Sequence, residues 1–478
     1  MSEEVYPVPD GWTWTTLGEV CEPIVHVDPT KNPTKTFRYV DIASISNEKF
    51  SIVNPKEYTG KNAPSRARKA IKASDVLVST VRTYLRNIAM VPPELHGEIC
   101  STGLCVLRPM REVADPGFVF RYVLTDFFVN RLTREQRGIS YPAVTDRYVY
   151  AQPLPLAPLT EQRRIVSRVE EILQPNRIAK EALSKLPNLL KRFRQSVLAK
   201  AFRGELTERD PNDEPAERLL ERIKQERRKK WEEKLRAKGK DTRKLRFIEH
   251  ESSTSEPFDL PDRWQWTTIG SMFEVTVGGT PSRKKPSYWD GSIPWVTSSE
   301  VAFCRIRSTR ERITAEGMQN SSAKIRPAGT VLLAMIGEGK TRGQAAILDI
   351  PATTNQNIAS ILSSETPMLS EYIYWWFYYR YNETRSAGEG GAQPALNAPR
   401  IMLIPIPLAP VHEQKIIVSK IEQLFAHADG LEKFVKAAND RAEVLERSVL
   451  TKAFRGELLP QDPADEPASV LLERIRGK

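Results

Sequence analysis

The chain repeats itself at one fixed interval, and this constrains its architecture more than any other feature. Pro9-Asp10-Gly11-Trp12-Thr13-Trp14-Thr15-Thr16 returns as Pro261-Asp262-Arg263-Trp264-Gln265-Trp266-Thr267-Thr268. Pro153-Leu154-Pro155-Leu156-Ala157-Pro158, then Glu161-Gln162, returns as Pro405-Ile406-Pro407-Leu408-Ala409-Pro410, then Glu413-Gln414. Segment 196–223 returns at 448–475 with 21 of 28 residues identical. Pro9 and Pro261, Pro153 and Pro405, and Ser196 and Ser448 all stand 252 positions apart, so the chain is two similar halves. The match is strong at each opening, at the Pro-rich junction and in each tail, and weak over 20–150 and 272–400. Matching segments build a shared frame. Diverged segments do a different job in each half.

The tails carry a helical period. Ile417, Ile421, Leu424, Ala428, Leu431, Val435, Ala438, Ala442, Leu445 and Val449 follow strict 4-3 spacing, a coiled-coil seam. The same seam lies in the first half at Ile165, Val169, Ile172, Asn176, Ala179, Leu183, Leu186, Leu190, Phe193 and Val197. Asn176 is its polar member, and one buried Asn can set register. Pro175 and Pro187 interrupt the first helix, yet the heptad phase survives both, so one bent helix is expected. The second helix, 411–455, would span roughly 67 Å if straight. Phe-Arg-Gly-Glu-Leu follows at Phe202 and Phe454, and Gly204 and Gly456 are natural helix stops. A short amphipathic helix comes next, at 216–223 and 468–475. Only the first half extends it, through a Lys/Arg-dense 224–246, before a polar linker at 251–257.

A length of 478 residues exceeds one ordinary domain, with about three as the prior. The formal net charge of +11 favours a polyanionic partner, usually nucleic acid, over a ribosomal or membrane surface. No run of about 18 apolar residues predicts a membrane span. The opening Met1-Ser2-Glu3-Glu4 is acidic, with no signal-peptide core, so a cytoplasmic protein is expected. Cys21, Cys100, Cys105 and Cys304 form no CxxC pair and have no His cluster beside them. They read as reduced, mostly buried thiols, and no metal site is expected.

The diverged stretches read as α/β. Val76-Leu77-Val78 and Val331-Leu332-Leu333 are buried strands by composition, and 118–132 and 371–381 are aromatic-rich helices. The run Tyr372-Ile373-Tyr374-Trp375-Trp376-Phe377-Tyr378-Tyr379 is core on this reading, with a base-stacking surface as the alternative. Phe120 and Tyr122 at the same offset favour packing.

These motifs together resemble the specificity subunits of type I restriction–modification systems. The resemblance rests on the Trp12/Trp14 and Trp264/Trp266 openings, the two Pro-rich Glu-Gln junctions and the Lys-Ala-Phe-Arg-Gly-Glu-Leu tails. Gly278-Gly279-Thr280-Pro281-Ser282 with Trp289 and Trp295 adds to it. It covers nearly the whole chain. The fold it implies is α/β plus α: two α/β target-recognition domains separated by long antiparallel coiled-coil-like helices, a pseudo-twofold internal repeat. The expected divisions are a first recognition domain at 1–157, a central helical region and linker at 158–255, a second recognition domain at 256–409 and a C-terminal helical region at 410–478. Each domain would read one half of a split, asymmetric site in double-stranded DNA. The helices would set the gap and bind two modification subunits, N6-adenine methyltransferases, within a complex that also holds restriction/translocase subunits. The prolines of the first helix depart from a plain spacer.

No catalytic motif contradicts this. Ala334-Met335-Ile336-Gly337-Glu338-Gly339-Lys340-Thr341 fits a relaxed Walker A pattern, but 345–351 reads as a strand where a P-loop needs a helix. An Asn/Asp-Pro-Pro-Tyr/Phe methyltransferase tetrapeptide does not occur, and Asp10 and Asp262 lack the Glu-x-Lys strand of a nuclease. The chain is therefore expected to be non-catalytic and free of cofactor, with S-adenosylmethionine and ATP on partner subunits. A partner would flip the target adenine. The alternative is a self-contained ATP-dependent or nuclease-like DNA enzyme. A pure scaffold would not need two different faces.

Two turns are the first candidates for reading bases: Arg82, Tyr84, Arg86 and Asn87, and Lys340, Thr341, Arg342 and Gln344. Arg matches the guanine edge and Asn or Gln the adenine edge in the major groove. Contact to phosphates alone is the competing role. Ser101, Thr102 and Tyr141 are secondary candidates, with Arg283, Lys284, Asn355 and Gln356. Ser101 and Thr102 read equally well as sheet-edge residues.

Overall fold

The computed structural model describes residues 5–138, 142–237, 239, 247, 256–337, 339–386 and 396–477. They form two compact units, Met1–Lys185 with Phe434–Lys478, and Leu186–Lys433. The first is called unit 1 and the second unit 2.

Each unit is built on the same frame. In unit 1 the strand Thr13–Thr16 pairs antiparallel with Pro153–Leu156, and in unit 2 Gln265–Thr268 pairs with Pro405–Leu408. Alternating prolines lack half the donors of a strand, and a two-stranded ribbon tolerates this. Trp12 Nε1 donates to buried Glu161 at 2.9 Å, and Trp264 Nε1 donates to buried Glu413 at 2.8 Å. Gln162 and Gln414 each donate back to the junction carbonyl, Ala157 O at 2.8 Å and Ala409 O at 2.7 Å. Burying a carboxylate costs several kcal/mol unless donors surround it. Gln461 supplies a further donor to Glu161, and Thr207 one to Glu413.

Those last donors come from the tail of the other half. Phe454 packs on Phe118 and Tyr122 in unit 1, and Phe202 packs on Tyr372 and Trp376 in unit 2. Ala468 N donates to Gly11 O, and Ala216 N to Arg263 O. The helix-stop glycines have a second reason to be glycine. Their φ is +68 and +70, and a Cβ would meet Pro261 at 2.4 Å from Gly204 and Pro9 at 2.1 Å from Gly456. The repeat is thus crossed, with each domain's core completed by the tail of the other half.

Around this frame the sheets differ. Unit 1 has a three-stranded sheet, Leu104–Leu107, Val76–Ser79 and Ile88–Met90 in spatial order. A four-stranded sheet holds Lys56–Thr59, Thr36–Val40, Ile99–Ser101 and Ala67–Ala70. Unit 2 has a five-stranded sheet of Val275–Val277, Ile358–Ile361, Val331–Ala334, Ala345–Leu348 and Cys304–Ile306. Its three-stranded sheet holds Glu311–Ile313, Trp289–Val296 and Thr353–Thr354. The strands read from sequence at 76 and 331 are fully buried. The strand Ala345–Leu348 follows the Walker-like turn, where a P-loop would have a helix.

The aromatic run is core, as Tyr372, Ile373, Trp376 and Phe377 have no exposure. It occupies Ser370–Tyr379, with a separate helix at Tyr381–Ser386. The single helix expected at 118–132 is two, Pro116–Val123 and Asp126–Arg134, because Thr125 caps the second through Phe128 N. The first long helix runs Leu159–Ser184 straight through Pro175, and a second segment begins at Leu186. Lys185 is the C-cap of the first segment, its N–H on the carbonyls of Ala182 and Leu183. Pro187 is then a first-turn residue, where a missing N–H is not needed. Asn176 Nδ2 donates to the carbonyl of Ala442, a member of the other seam, at 3.1 Å. The second long helix is Val411–Phe454, and the basic extension continues the short tail helix to Ala237. Cys21, Cys100 and Cys105 are buried and Cys304 half-buried, all free thiols. Burial pushes Cys21 and Cys100 up to about 12.

Candidate nucleic-acid interface

In unit 1 the candidate turns converge at one end of the central sheet. Leu104 pairs with Ser79, so the loop leaving the strand at 79 and the turn entering the strand at 104 are neighbours. Thr80 locks them together, with its Oγ1 donating to Gly103 O at 2.9 Å. Arg82 N donates to Pro142 O and Val144 N to Thr80 O, which brings the segment after 141 to the same place. Tyr141 itself lies outside the described residues.

The side chains have different duties. Tyr84 is 51% exposed at the tip of the turn Thr83–Leu85. Thr102 is exposed, and its N–H donates to Arg66 O. Ser101 is buried and its hydroxyl accepts from Gly103 N. Arg86 reaches inward to Leu124 O at 2.9 Å and to the Asp126 carboxylate. Asn87 Nδ2 donates to Ile45 O at 3.0 Å. In the free chain Arg86 and Asn87 brace the turn. Arg82 is half-buried, with left-handed backbone.

In unit 2 three segments meet at the equivalent sheet end. Val277 pairs with Ala359 and Ala334 with Ile358, so the loops after 277 and 334 and the loop before 358 adjoin. Met335 N donates to Asn357 O at 2.9 Å and Gly279 N to Thr354 O at 2.8 Å. The approach is too close for side chains. A Cβ on Gly278 would stand 2.1 Å from Thr354 O, and one on Gly279 would stand 2.3 Å from Ser322 Oγ. Trp295 Nε1 holds Gly279 O at 2.9 Å. Arg283 Cζ stands over Trp289, 3.6 Å from its ring centroid, and the guanidinium makes a paired salt bridge to Glu311 at 2.6 and 2.8 Å. Those guanidinium bonds hold the Glu311 carboxyl below its usual range.

Lys284, Lys340 and Gln356 are exposed there, and Thr341 and Gln344 are half-buried. Arg342 and Asn355 are buried, and Asn355 Oδ1 accepts from Asn357 N at 3.0 Å. Gln356 Oε1 accepts from Thr280. Tyr381 OH ties down the turn through Lys340 O at 2.5 Å. Among the described residues no group of three or more His, Cys, Asp or Glu could hold a metal ion. Both sheet ends are hydrogen-bonded loop clusters carried on buried strands, with exposed lysines at the end in unit 2.

One solved structure of the same architecture is an HsdS subunit from Thermoanaerobacter tengcongensis. It is 30% identical, the alignment covers 96% of this chain and 100% of that one, and the TM-score is 0.57. The chain belongs to the type I restriction–modification specificity family. A second structure, solved in work on complex assembly and conformational transition of the type I R-M system, has TM-score 0.71 at 30% identity over 95% of this chain and 100% of that one. The family model described as the type I restriction modification DNA specificity domain matches residues 261–438. The EcoDI specificity subunit of Escherichia coli is 26% identical over 75% of this chain and 76% of its own length.

For a member of this family the sequence reading missed exposed cations that the fold brings to the candidate faces. In unit 1 these are Arg66, whose carbonyl holds Thr102, and Arg137, whose backbone pairs with Ala143 beside the first turn. In unit 2 exposed Lys324 lies next to the Ser322–Ala323 backbone that abuts Gly279. None sits in a motif, so only the strand pairing could reveal them. No helix among the described residues is long and apolar enough to cross a membrane.

Proposed function

We propose that this chain is the non-catalytic, sequence-reading subunit of a type I restriction–modification complex in the cytoplasm, with each diverged domain reading one half of a split site in double-stranded DNA. The observation that carries the reading is a duplicated frame bearing two unlike loop clusters, one at a sheet end in each unit. Two different readers on one repeated support suit two different half-sites.

The domains are taken as 1–157 and 256–409, joined by helical regions at 158–255 and 410–478. The duplicated seam supports a pseudo-twofold arrangement with antiparallel helices as spacer. Contact with the DNA falls to Tyr84, Thr102 and Tyr141 with Arg82 in the first domain. In the second it falls to Arg283, Lys284, Lys340, Thr341, Gln344 and Gln356. Arg86, Asn87, Ser101, Arg342 and Asn355 shape these loops from inside. Methylation and ATP-driven steps belong to two modification subunits and to restriction/translocase subunits, which carry S-adenosylmethionine and ATP. The helices offer docking surface. Ile178, Phe434 and Val444 are 62, 64 and 65% exposed in unit 1, and Leu189 and Leu431 are 53 and 50% exposed in unit 2.

Methylome sequencing of cells that express the chain with its partner subunits tests the reading. A methylated motif of two unlike half-sites with an unspecified gap is the expected result. A continuous or palindromic motif would overturn it.

A further inference from the structure

Tyr84 and Leu85 are 51 and 41% exposed, two large side chains side by side on the candidate face of unit 1. The turn beneath them is held from several directions. Arg82 N donates to Pro142 O at 2.8 Å, Thr83 Oγ1 lies 2.9 Å from Thr133 Oγ1, and Asn47 Nδ2 donates to Leu85 O at 3.0 Å. On the far side Arg86 grips Leu124 O and the Asp126 carboxylate. Arg82 and Arg86 flank the pair with φ of +48° and +54°. Non-glycine residues keep such left-handed backbone only where surrounding contacts impose it. The result is a stiff, strained turn that presents an apolar tip.

An apolar tip on a hydrogen-bonding, basic face has no use against phosphates, which take charge and donors. Within DNA the apolar partners are the thymine methyls and the base stack, and an aromatic ring beside a branched aliphatic chain on a stiff turn suits the stack. We propose that Tyr84 and Leu85 form a wedge that enters between adjacent base pairs of the half-site read by unit 1 and unstacks one step. The wedge rests on the reading of this face as a DNA surface. Apolar side chains inserted at a base step partly unstack it and kink the duplex. Pyrimidine–purine steps yield most readily, so the wedge favours such a step without contacting its base edges. Opening the stack also lowers the cost of extruding a neighbouring base for a methyltransferase partner. The counterpart turn in unit 2 exposes Gly339 and Lys340, so the wedge acts at one half-site only.

The test uses the full chain assembled with its modification subunits, bound to a duplex that carries its methylated motif. 2-Aminopurine replaces bases one at a time in both half-sites, leaving the methylated adenine untouched. Fluorescence is expected to rise several-fold at one step of one half-site and to stay quenched throughout the other. The rise is expected to vanish in Tyr84→Ala/Leu85→Ala and to persist in Tyr84→Phe, because the ring and not the hydroxyl does the separating. Binding without a step-specific rise overturns the wedge and leaves DNA reading intact. So does a rise that survives the double alanine variant or is lost in Tyr84→Phe. An assembly that cannot bind its own methylated motif overturns the DNA reading as well.

Discussion

The two units share a frame of matching strand pairs and Trp–Glu bonds and differ in the sheets and loops built on it. The Trp–Glu bond measures 2.9 Å in one and 2.8 Å in the other, and Trp14 and Trp266 each donate to a backbone carbonyl, at 3.1 and 3.0 Å. The sheets beside these bonds have three and four strands in unit 1, and five and three in unit 2. The two candidate turns show how far divergence goes. Unit 2 takes its positive φ from glycine, at Gly337 (+141°) and Gly343 (+82°), and unit 1 forces arginine into it at Arg82 and Arg86. Glycine reaches that region freely. Arginine there must be held, and unit 1 supplies the holding bonds.

The largest effect should come from exchanging a reader. Replacing 20–150 with the corresponding stretch of another family member should change one half-site and leave the other unchanged, as read by methylome sequencing. Affinity for the old site should fall toward the non-specific level, a loss of about 10³–10⁷-fold. A simultaneous change in both half-sites would mean that the two units do not read independently.

The shared frame should fail equally in both units. Phe454→Ala and Phe202→Ala each remove a fully buried ring and should each cost about 3–5 kcal/mol. Hydrogen exchange should localise the first loss to unit 1 and the second to unit 2. A cost confined to one of them would break the equivalence of the crossed tails.

A third change should separate the units. Arg108 and Asp75 form a buried ion pair below the unit 1 sheet, with side chains 7 and 2% exposed. The matching strand in unit 2 is preceded by Thr330, whose hydroxyl donates to Pro327 O at 2.8 Å. Asp75→Ala strands a buried cation and should cost about 3–5 kcal/mol in denaturant melts. Thr330→Val removes one neutral bond and should cost about 1 kcal/mol. Equal costs would show that the ion pair is solvated in practice.

The smallest effect is acid sensitivity of the unit 2 loop. Arg283 lowers the folded-state pKa of Glu311 by hydrogen bonding and charge. The pair therefore contributes fully above the unfolded glutamate range and is lost as pH falls through the lowered value. Arg283 is half exposed, so the contribution should be only about 0.2–1 kcal/mol. Acid titration of Glu311→Gln should show a flatter stability profile than the parent at low pH, with unit 1 unaffected. An unchanged profile would remove the pair from the account.

Much was legible in the residues alone. The 252-residue offset announced two frames, and strict 4-3 spacing announced the long helices, because periodicity records which face is apolar. Val76 and Val331 declared buried strands by composition, and the turns after them fall at the sheet ends where the candidates gather. Side-chain partners were not legible. Arg86, a candidate for base contact, pairs with Asp126, and the Ser101 hydroxyl accepts from Gly103 N. Nothing local to Arg86 announces a carboxylate 40 positions away.

What the sequence by itself determined is that two alike frames and two alike tails exist. A periodic apolar stripe demands cover but does not name what covers it, and tails 21 of 28 residues identical do not say which frame each one covers. Only the tertiary structure decided the crossing, with Phe202 against Tyr372 and Phe454 against Tyr122. Such contacts join positions far apart in the chain, and they are selected by where the long helices end and not by any residue's own preference.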